Sequence, residues 1–399
     1  MSVEKQAHGL DQACPRVAHT PQTSDIFIQR LVQVLDGAGQ QRSAREEMLP
    51  DGRDGRDGVT AVAVQAACRS DGSPSTKRPG CRWRHRCQPS THTQARWYDA
   101  RAMTSPSPSP KRHLPEWLKV RMPGSPTYLQ VRELLHTAEL HTVCEEAHCP
   151  NIGECWDRKS ATFMVLGDVC TRACRYCAVT SGKPAGLDLG EPDRLARTVE
   201  HLGLRYVVIT SVDRDDLPDG GASVFAACIE RIRERASACR VEVLTPDFQG
   251  DWLALQSVLA ARPAVMNHNI ETVRRVFPSV RPKGDYDLSL DLLRLSREYA
   301  PGVPTKSGMM VGLGETVDEV LSTMRDLRDN GVDLLTIGQY LRPSSKHVAM
   351  DRFYHPHEFE RFKAEGYAMG FRHVASGPLV RSSYHADEQH DAATRVARG

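Results

Sequence analysis

Short apolar runs alternate with helical patterns along most of the chain after residue 125. The runs are "ATFMVLG" (161–167), "YVVIT" (206–210), "VEVLTP" (241–246), "VMNHNIET" (265–272), "SGMMVGLGE" (307–315) and "LLTIGQYL" (334–341), with a weaker one, "HVASGP" (373–378). Between them lie "DRLARTVEHLGL", "ASVFAACIERIRERA", "WLALQSVLAA", "SLDLLRLSREYA" and "TVDEVLSTMRDLRDNG", whose apolar residues recur at helical spacing. Ahead of them "SPTYLQVRELLHTAEL" predicts a helix opened by Ser and Pro. Repeated βα units predict a parallel sheet with right-handed crossovers. The expected fold is α/β: a partial (β/α)6-type parallel barrel over 160–378. An N-terminal extension over 103–159 precedes it and a C-terminal return segment over 379–399 follows. Polar residues cluster just after the strands, where barrel active sites lie.

Residues 1–102 follow no such pattern. "DGRDGRDG", "SDGSPSTKRPG" and "CRWRHRCQPSTHTQ" are polar and rich in breakers, and "IFIQRLVQVL" (27–36) is one isolated helical candidate. Such composition buries too little apolar surface to offset chain entropy, so a disordered arm is expected. Abundant arginine raises a mitochondrial transit peptide as an alternative, but Glu46, Glu47, Asp51, Asp54 and Asp57 argue against it. A third reading takes Met103, at the head of "MTSPSPSPKRHLPEWLKVRMP", as the true start.

Composition narrows the class. Charged residues are 26% and apolar ones 40% of 399, and the net charge of +2 gives no case for nucleic acid. No apolar run approaches the ~18 residues of a membrane span, and no basic-then-apolar leader opens the chain. A cytoplasmic location is expected ahead of a mitochondrial one. In a reducing compartment the 12 cysteines should be metal ligands or buried thiols.

Six of them fall in two triads. Cys144, Cys149 and Cys155 are spaced C-x4-C-x5-C; Cys170, Cys174 and Cys177 are spaced C-x3-C-x2-C. The second triad follows the strand "ATFMVLG" directly. Three thiolates can hold three irons of a cubane and leave the fourth open to a small chelating molecule. A structural zinc site is the alternative, but zinc takes four protein ligands and favours paired C-x2-C spacings. Of the others, Cys228 and Cys239 are expected in the core, whereas Cys14, Cys68, Cys81 and Cys87 belong to the arm.

The C-x3-C-x-aromatic-C pattern after a first strand, with Tyr176 as the aromatic, resembles the radical S-adenosylmethionine (SAM) enzymes. That resemblance implies a cluster whose open iron binds the amino and carboxylate groups of SAM, and reductive cleavage to a 5′-deoxyadenosyl radical. It also suggests a SAM pocket at the strand ends. Gly312 and Gly314 would let the backbone approach the nucleoside. Asn267, Asn269 and Glu271 would suit ribose hydroxyls or the amine, and Ser211, Asp213 and Arg214 follow the next strand. Ordinary turns and caps would use the same residue types.

Taken together, "CEEAHCPNIGECW", "CTRACRYCAV", "TSVDRDDLPDGGA", "NHNIETV", "MVGLGET", "GQYLRPS" and "RSSYHA" resemble the lipoyl synthase family over roughly 115–390. Only residues 1–102 fall outside the resemblance. It implies a sulfurtransferase that inserts two sulfur atoms, at C6 and C8 of a protein-bound octanoyl-lysine. The implied cofactors are two 4Fe-4S clusters with SAM as co-substrate. The first triad would hold an auxiliary cluster that gives up its own sulfur. A serine of R-S-S-Y would complete it: Ser383, with Ser382 the alternative. Implied partners are octanoylated lipoyl-carrier domains or H protein, an electron donor such as ferredoxin or flavodoxin, and an iron–sulfur carrier. Arg342 is expected near the mouth, where it meets an acidic carrier, a cofactor carboxylate or a surface acid.

Overall fold

The computed structural model describes residues 114–120 and 122–396. The isolated helix expected over 27–36, Met103, and Cys14, Cys68, Cys81 and Cys87 lie outside that range. The chain enters through helix α1 (Pro126–Thr137). Ser125 caps it, its hydroxyl accepting the Tyr128 amide at 3.0 Å, and Pro126 fits a first turn that needs no N–H donor. Next come strand β1 (His141–Thr142) and the short helices α2 (Val143–Glu146) and α3 (Ile152–Asp157).

The barrel follows: β2 (Thr162–Val165), β3 (Val169–Cys170), β4 (Thr180–Ser181), α4 (Glu191–Leu202), β5 (Tyr206–Ser211), α5 (Ala222–Arg235), β6 (Arg240–Leu244), α6 (Trp252–Ala260), β7 (Val265–Asn267), α7 (Phe277–Val280), α8 (Tyr286–Tyr299), β8 (Thr305–Val311), α9 (Val317–Asp329), β9 (Leu334–Gln339), α10 (Pro356–Ala368), β10 (His373–Gly377) and α11 (Ala386–Val396). Eight strands form one sheet in the order β1-β2-β5-β6-β7-β8-β9-β10. Every pairing from β2 to β10 is parallel, and β1 adds an antiparallel edge. The sheet is an open, partial barrel, as expected. Its strands read as continuous apolar runs because helices cover the outer face while side chains fill the interior.

The weak run near 373 is a full member of the sheet, paired to β9 from His373↔Leu334 to Gly377↔Gly338. Two elements at the C-terminal side were not read from the pattern, α10 and α11. In α11, Ala393 packs on Val265 and Leu334, the first residues of β7 and β9, so this helix lies across the strands' N-terminal ends. The run at 265–272 ends as a strand at Asn267. Beyond it the backbone departs from the strand, Glu271 adopting φ 67, and only a single bridge, Glu271↔Met309, continues the pairing. Cys228 is fully buried in α5, as expected; Cys239, ahead of β6, is only half-buried.

Candidate active site with two cysteine triads

Two short parallel strands, β3 and β4, bracket the loop that carries the second triad. Cys170 ends β3, and its carbonyl accepts the Gly182 amide at 2.9 Å, closing the loop at its base. Its Sγ accepts the amides of Arg172 at 3.4 Å and Asp213 at 3.3 Å. Arg172, deep in the loop, is buried and makes bidentate pairs with Asp215 and Asp247. Burial pushes the Asp247 carboxyl up, yet the Arg172 guanidinium wins and holds it well below the usual range. These pairs fix the loop from below and leave its thiols facing inward.

The first triad sits on the extension. Cys144 is buried in α2, whose N-terminus Thr142 caps. Cys149 donates its amide to the Cys144 carbonyl at 3.0 Å, and Cys155 lies on α3. Burial drives the Cys144 thiol up to about 11, with nearby Cys149 adding to the rise. Burial, then Cys144 and Cys149, push Cys155 to about 12. In the second triad burial raises Cys174 to about 12 and Cys177 to about 11. Among the described residues none of the six forms a disulfide.

Cys144, Cys149, Cys170, Cys174, Cys177, Ser382 and Ser383 line a single cavity of about 380 Å³. The return segment reaches it by several contacts. Asn151 donates to the Leu379 carbonyl at 2.7 Å, the Tyr384 hydroxyl donates to Glu154 at 3.0 Å, and His385 pairs with Glu154 at 2.9 Å. On the sheet side Gly338 makes room: a Cβ there would overlap the Val380 carbonyl. Arg381 is half-buried beside Cys149, and its partial desolvation pushes its guanidinium below the usual range.

The polar wall at the strand ends fits a ligand with several hydrogen-bonding groups. Among the described residues the Ser211 hydroxyl, Thr245 hydroxyl and Asn269 Oδ1 are buried, line the cavity and have no hydrogen-bond partner; Asp213 Oδ1 also lacks one, with Arg172 Nε 3.6 Å away. A buried polar atom without a partner costs ~1–3 kcal/mol, which a bound molecule would recover. Burial raises both Asp213 and Glu271, against the pull of the buried Arg281. The donor chemistry also fits an iron–sulfur group. The thiols are soft ligands of the kind that iron–sulfur groups take. A cubane needs its thiols spread, one per iron.

The expected residues divide cleanly. Ser211, Asp213, Asn269 and Glu271 face the cavity. Asn267 does not: its Nδ2 donates to Glu242 at 3.1 Å inside the barrel, where Lys306 and Tyr206 also bind that carboxylate. Arg214 is held by Asp216 and by the carbonyls of Leu166 and Gly186. Gly312 and Gly314 lie away from the cavity lining. They serve a turn at φ 102 and φ 96, in which Glu315 accepts the amides of Gly312 and Leu313. Arg342 stands between the lining residues Leu341 and Pro343, but its guanidinium binds the carbonyls of His347 and Ser345. Thr245, His268 and Arg281 also reach the cavity and were not singled out; "LTPD" and "VRPKGD" resemble ordinary strand ends and turns.

Comparison with known proteins identifies the family. The profile of the radical SAM superfamily matches residues 164–327, and that of the N-terminal domain of lipoyl synthase matches 62–149. The latter begins inside the stretch that composition set apart from the family, so the resemblance reaches further back than 102. A lipoyl synthase of Rubrobacter xylanophilus is 56% identical over 315 residues, covering 76% of this chain and 98% of that protein. One from Roseiflexus sp. is 56% identical over 283 residues, covering 71% and 94%. Among solved structures, methylornithine synthase aligns over 53% of this chain and 70% of its own, at 12% identity and a TM-score of 0.42, too distant to add weight. On its sequence the chain belongs to the lipoyl synthase family of radical SAM enzymes.

Proposed function

We propose that Cys170, Cys174 and Cys177 hold the SAM-binding cluster, while Cys144, Cys149, Cys155 and Ser383 hold the auxiliary one. Ser211, Asp213, Asn269 and Glu271 then contact SAM. The observation that carries this reading is the shared cavity: Cys144 and Cys149 of the first triad, all three thiols of the second and Ser383 border the same space, while Cys155 lies behind on α3. As a family member the chain is a radical SAM sulfurtransferase that converts protein-bound octanoyl-lysine to lipoyl-lysine by sulfur insertion at C6 and C8. When bound, SAM and the two 4Fe-4S clusters supply hydrogen-abstracting radical chemistry and the inserted sulfur.

The chain's own residues do the rest. Buried thiols with raised pKa values keep their protons until iron displaces them, so loading releases protons. Arg381, beside Cys149, offsets the negative charge that remains. Arg281 faces Asp213 and Glu271, giving the polar wall both signs of charge for the ammonium and carboxylate of an amino acid. Met164, Val212, Leu244 and Met310 supply apolar walls that suit an unactivated acyl chain and exclude water. A serine oxygen is a harder, more basic donor than thiolate, so it releases a soft metal site more readily. That property serves a group meant to be consumed.

Octanoylated lipoyl-carrier domains or H protein are the proposed acyl substrates. Ferredoxin or flavodoxin is the proposed reductant, and an iron–sulfur carrier the proposed source of replacement clusters. Among the described residues no helix is long and apolar enough to cross a membrane. The bacterial relatives support a cytoplasmic enzyme. The test is anaerobic reconstitution, then SAM, reductant and an octanoylated carrier, followed by mass spectrometry of the carrier. Lipoyl product is expected; 5′-deoxyadenosine without any sulfur gain on the carrier would refute the reading.

A further inference from the structure

Three segments border one side of the cavity, and none contains an acidic residue: 169–184, 278–284 and 340–350. They carry five exposed cations, Arg175, Lys183, Lys283, Arg342 and Lys346. None of the five has an ion-pair partner among the described residues, whereas Arg274 and Arg275, exposed just ahead of α7, are paired with Asp287 and Glu319. The hydrogen bonds they do make go to backbone carbonyls. Lys283 Nζ binds the Thr171 carbonyl at 3.1 Å, and Arg342 binds those of His347 and Ser345 at 2.9 and 2.6 Å. Such bonds orient the charge without cancelling it.

The segments are laced into one rim. The Arg175 amide donates to the Val280 carbonyl at 2.8 Å, and the Val348 amide to the Arg175 carbonyl at 2.9 Å. The His347 ring meets the Cys177 carbonyl at 2.9 Å. Each segment also lines the cavity, through Cys177 and Ser181, through Arg281, and through Leu341 and Pro343. The positive crescent is therefore built around the entrance to the reaction chamber. Its sign is not a property of the whole molecule, whose net charge is only +2.

We propose that this crescent is the docking surface for the protein that presents the acyl-lysine, and that the docking face of that protein is acidic. The inference rests on the function proposed above. An acyl chain on a lysine can enter the chamber only if the domain bearing it sits over the mouth. A rim of uncompensated cations selects an acidic face there, steers its approach and rejects basic ones. Arg342, expected at the mouth, takes part as one of five charges while also holding its own loop.

The test compares two substrates of the reconstituted full chain: an octanoylated carrier domain with an acidic face, and a short octanoyl-lysine peptide without acids. The variant reverses two of the three cations whose side chains make no hydrogen bond among the described residues, Lys183→Glu with Lys346→Glu. KM for the carrier should rise roughly tenfold, the yield of a few exposed charge contacts made repulsive, while KM for the peptide moves less than about twofold. Salt at about 0.5 M should erase most of the difference, because the Debye length then falls to a few ångströms. Lys183→Arg with Lys346→Arg should behave as the parent. An unchanged carrier KM, or equal rises for carrier and peptide, overturns the docking proposal. Failure of the parent chain to form lipoyl from either substrate would instead overturn the functional reading.

Discussion

Substituting Gly338 by Ala tests how the return segment delivers Ser383. Gly338 lies in β9, opposite Gly377 of β10. A Cβ at Gly338 would overlap the Val380 carbonyl and lie 3.1 Å from Arg381 Nη1. Because β9 is held on both sides by parallel neighbours, the return segment must yield, by roughly 1 Å. Such overpacking costs about 1–3 kcal/mol. Ser383 stands only three residues beyond Val380, and a misplacement of about 1 Å in a reacting constellation costs on the order of 100-fold in rate. The assay measures 5′-deoxyadenosine and lipoyl product in parallel. Gly338→Ala should cut lipoyl formation about 100-fold while SAM cleavage falls by far less, since the second triad lies on a different loop. Gly377→Ala is the control: its Cβ would meet only the Val380 side chain at 3.3 Å, so a mild effect is expected. Parent-like lipoyl yield from Gly338→Ala, or equal loss of both activities, would refute the reasoning.

Other outcomes follow from the same geometry. Glu154→Ala removes the partner of both Tyr384 and His385; exposed contacts of this kind are worth at most ~1 kcal/mol each, so melting should change little. Hydrogen exchange over 379–385 should quicken, and iron should leave the auxiliary site faster. His268 is buried, bonded to the Thr245 carbonyl and Ser289, and burial beside Arg281 lowers its pKa to about 4 from 6.5, against the opposite pull of Asp247. The unfolded chain therefore takes up a proton below pH 6.5 that the folded one refuses down to about 4, so stability is lost as pH falls through that window. Between pH 7 and 5 the parent should lose about 2 kcal/mol more than His268→Asn in urea titrations. Replacing Cys144, Cys149 and Cys155 by Ala should lower reconstituted iron to about half while leaving SAM cleavage measurable.

Local signals carried much of this fold. The α1 start at Ser125-Pro126 and the α9 capping box of Thr316 and Glu319 are readable because cap and apolar stripe lie within a few residues. What could not be read was direction. In "NHNIET", Asn267 turns into the barrel toward Glu242, while Asn269 and Glu271 face the cavity. The two-residue period gives no warning, because the strand ends at Asn267. Gly312 and Gly314 look like close-approach glycines but serve a turn with left-handed backbone. The α10 start was missed because His355 plays the capping role usually given to Ser, Thr or Asp. α11, "ADEQHDAATRV", has little apolar stripe to reveal it. The meeting of Asn151 with Leu379 is a tertiary event that no local pattern encodes; the family resemblance implied only that a serine of R-S-S-Y returns to the first triad.

The central claim is that a sulfide held by Cys144, Cys149, Cys155 and Ser383 becomes part of the product. Loading the auxiliary site with isotope-labelled sulfide, removing free sulfide, and weighing the carrier after one turnover tests it directly. The parent chain should give lipoyl bearing two labelled sulfur atoms, and Ser383→Ala should form 5′-deoxyadenosine with little lipoyl. Unlabelled product from the parent, or full labelled yield from Ser383→Ala, would contradict the account.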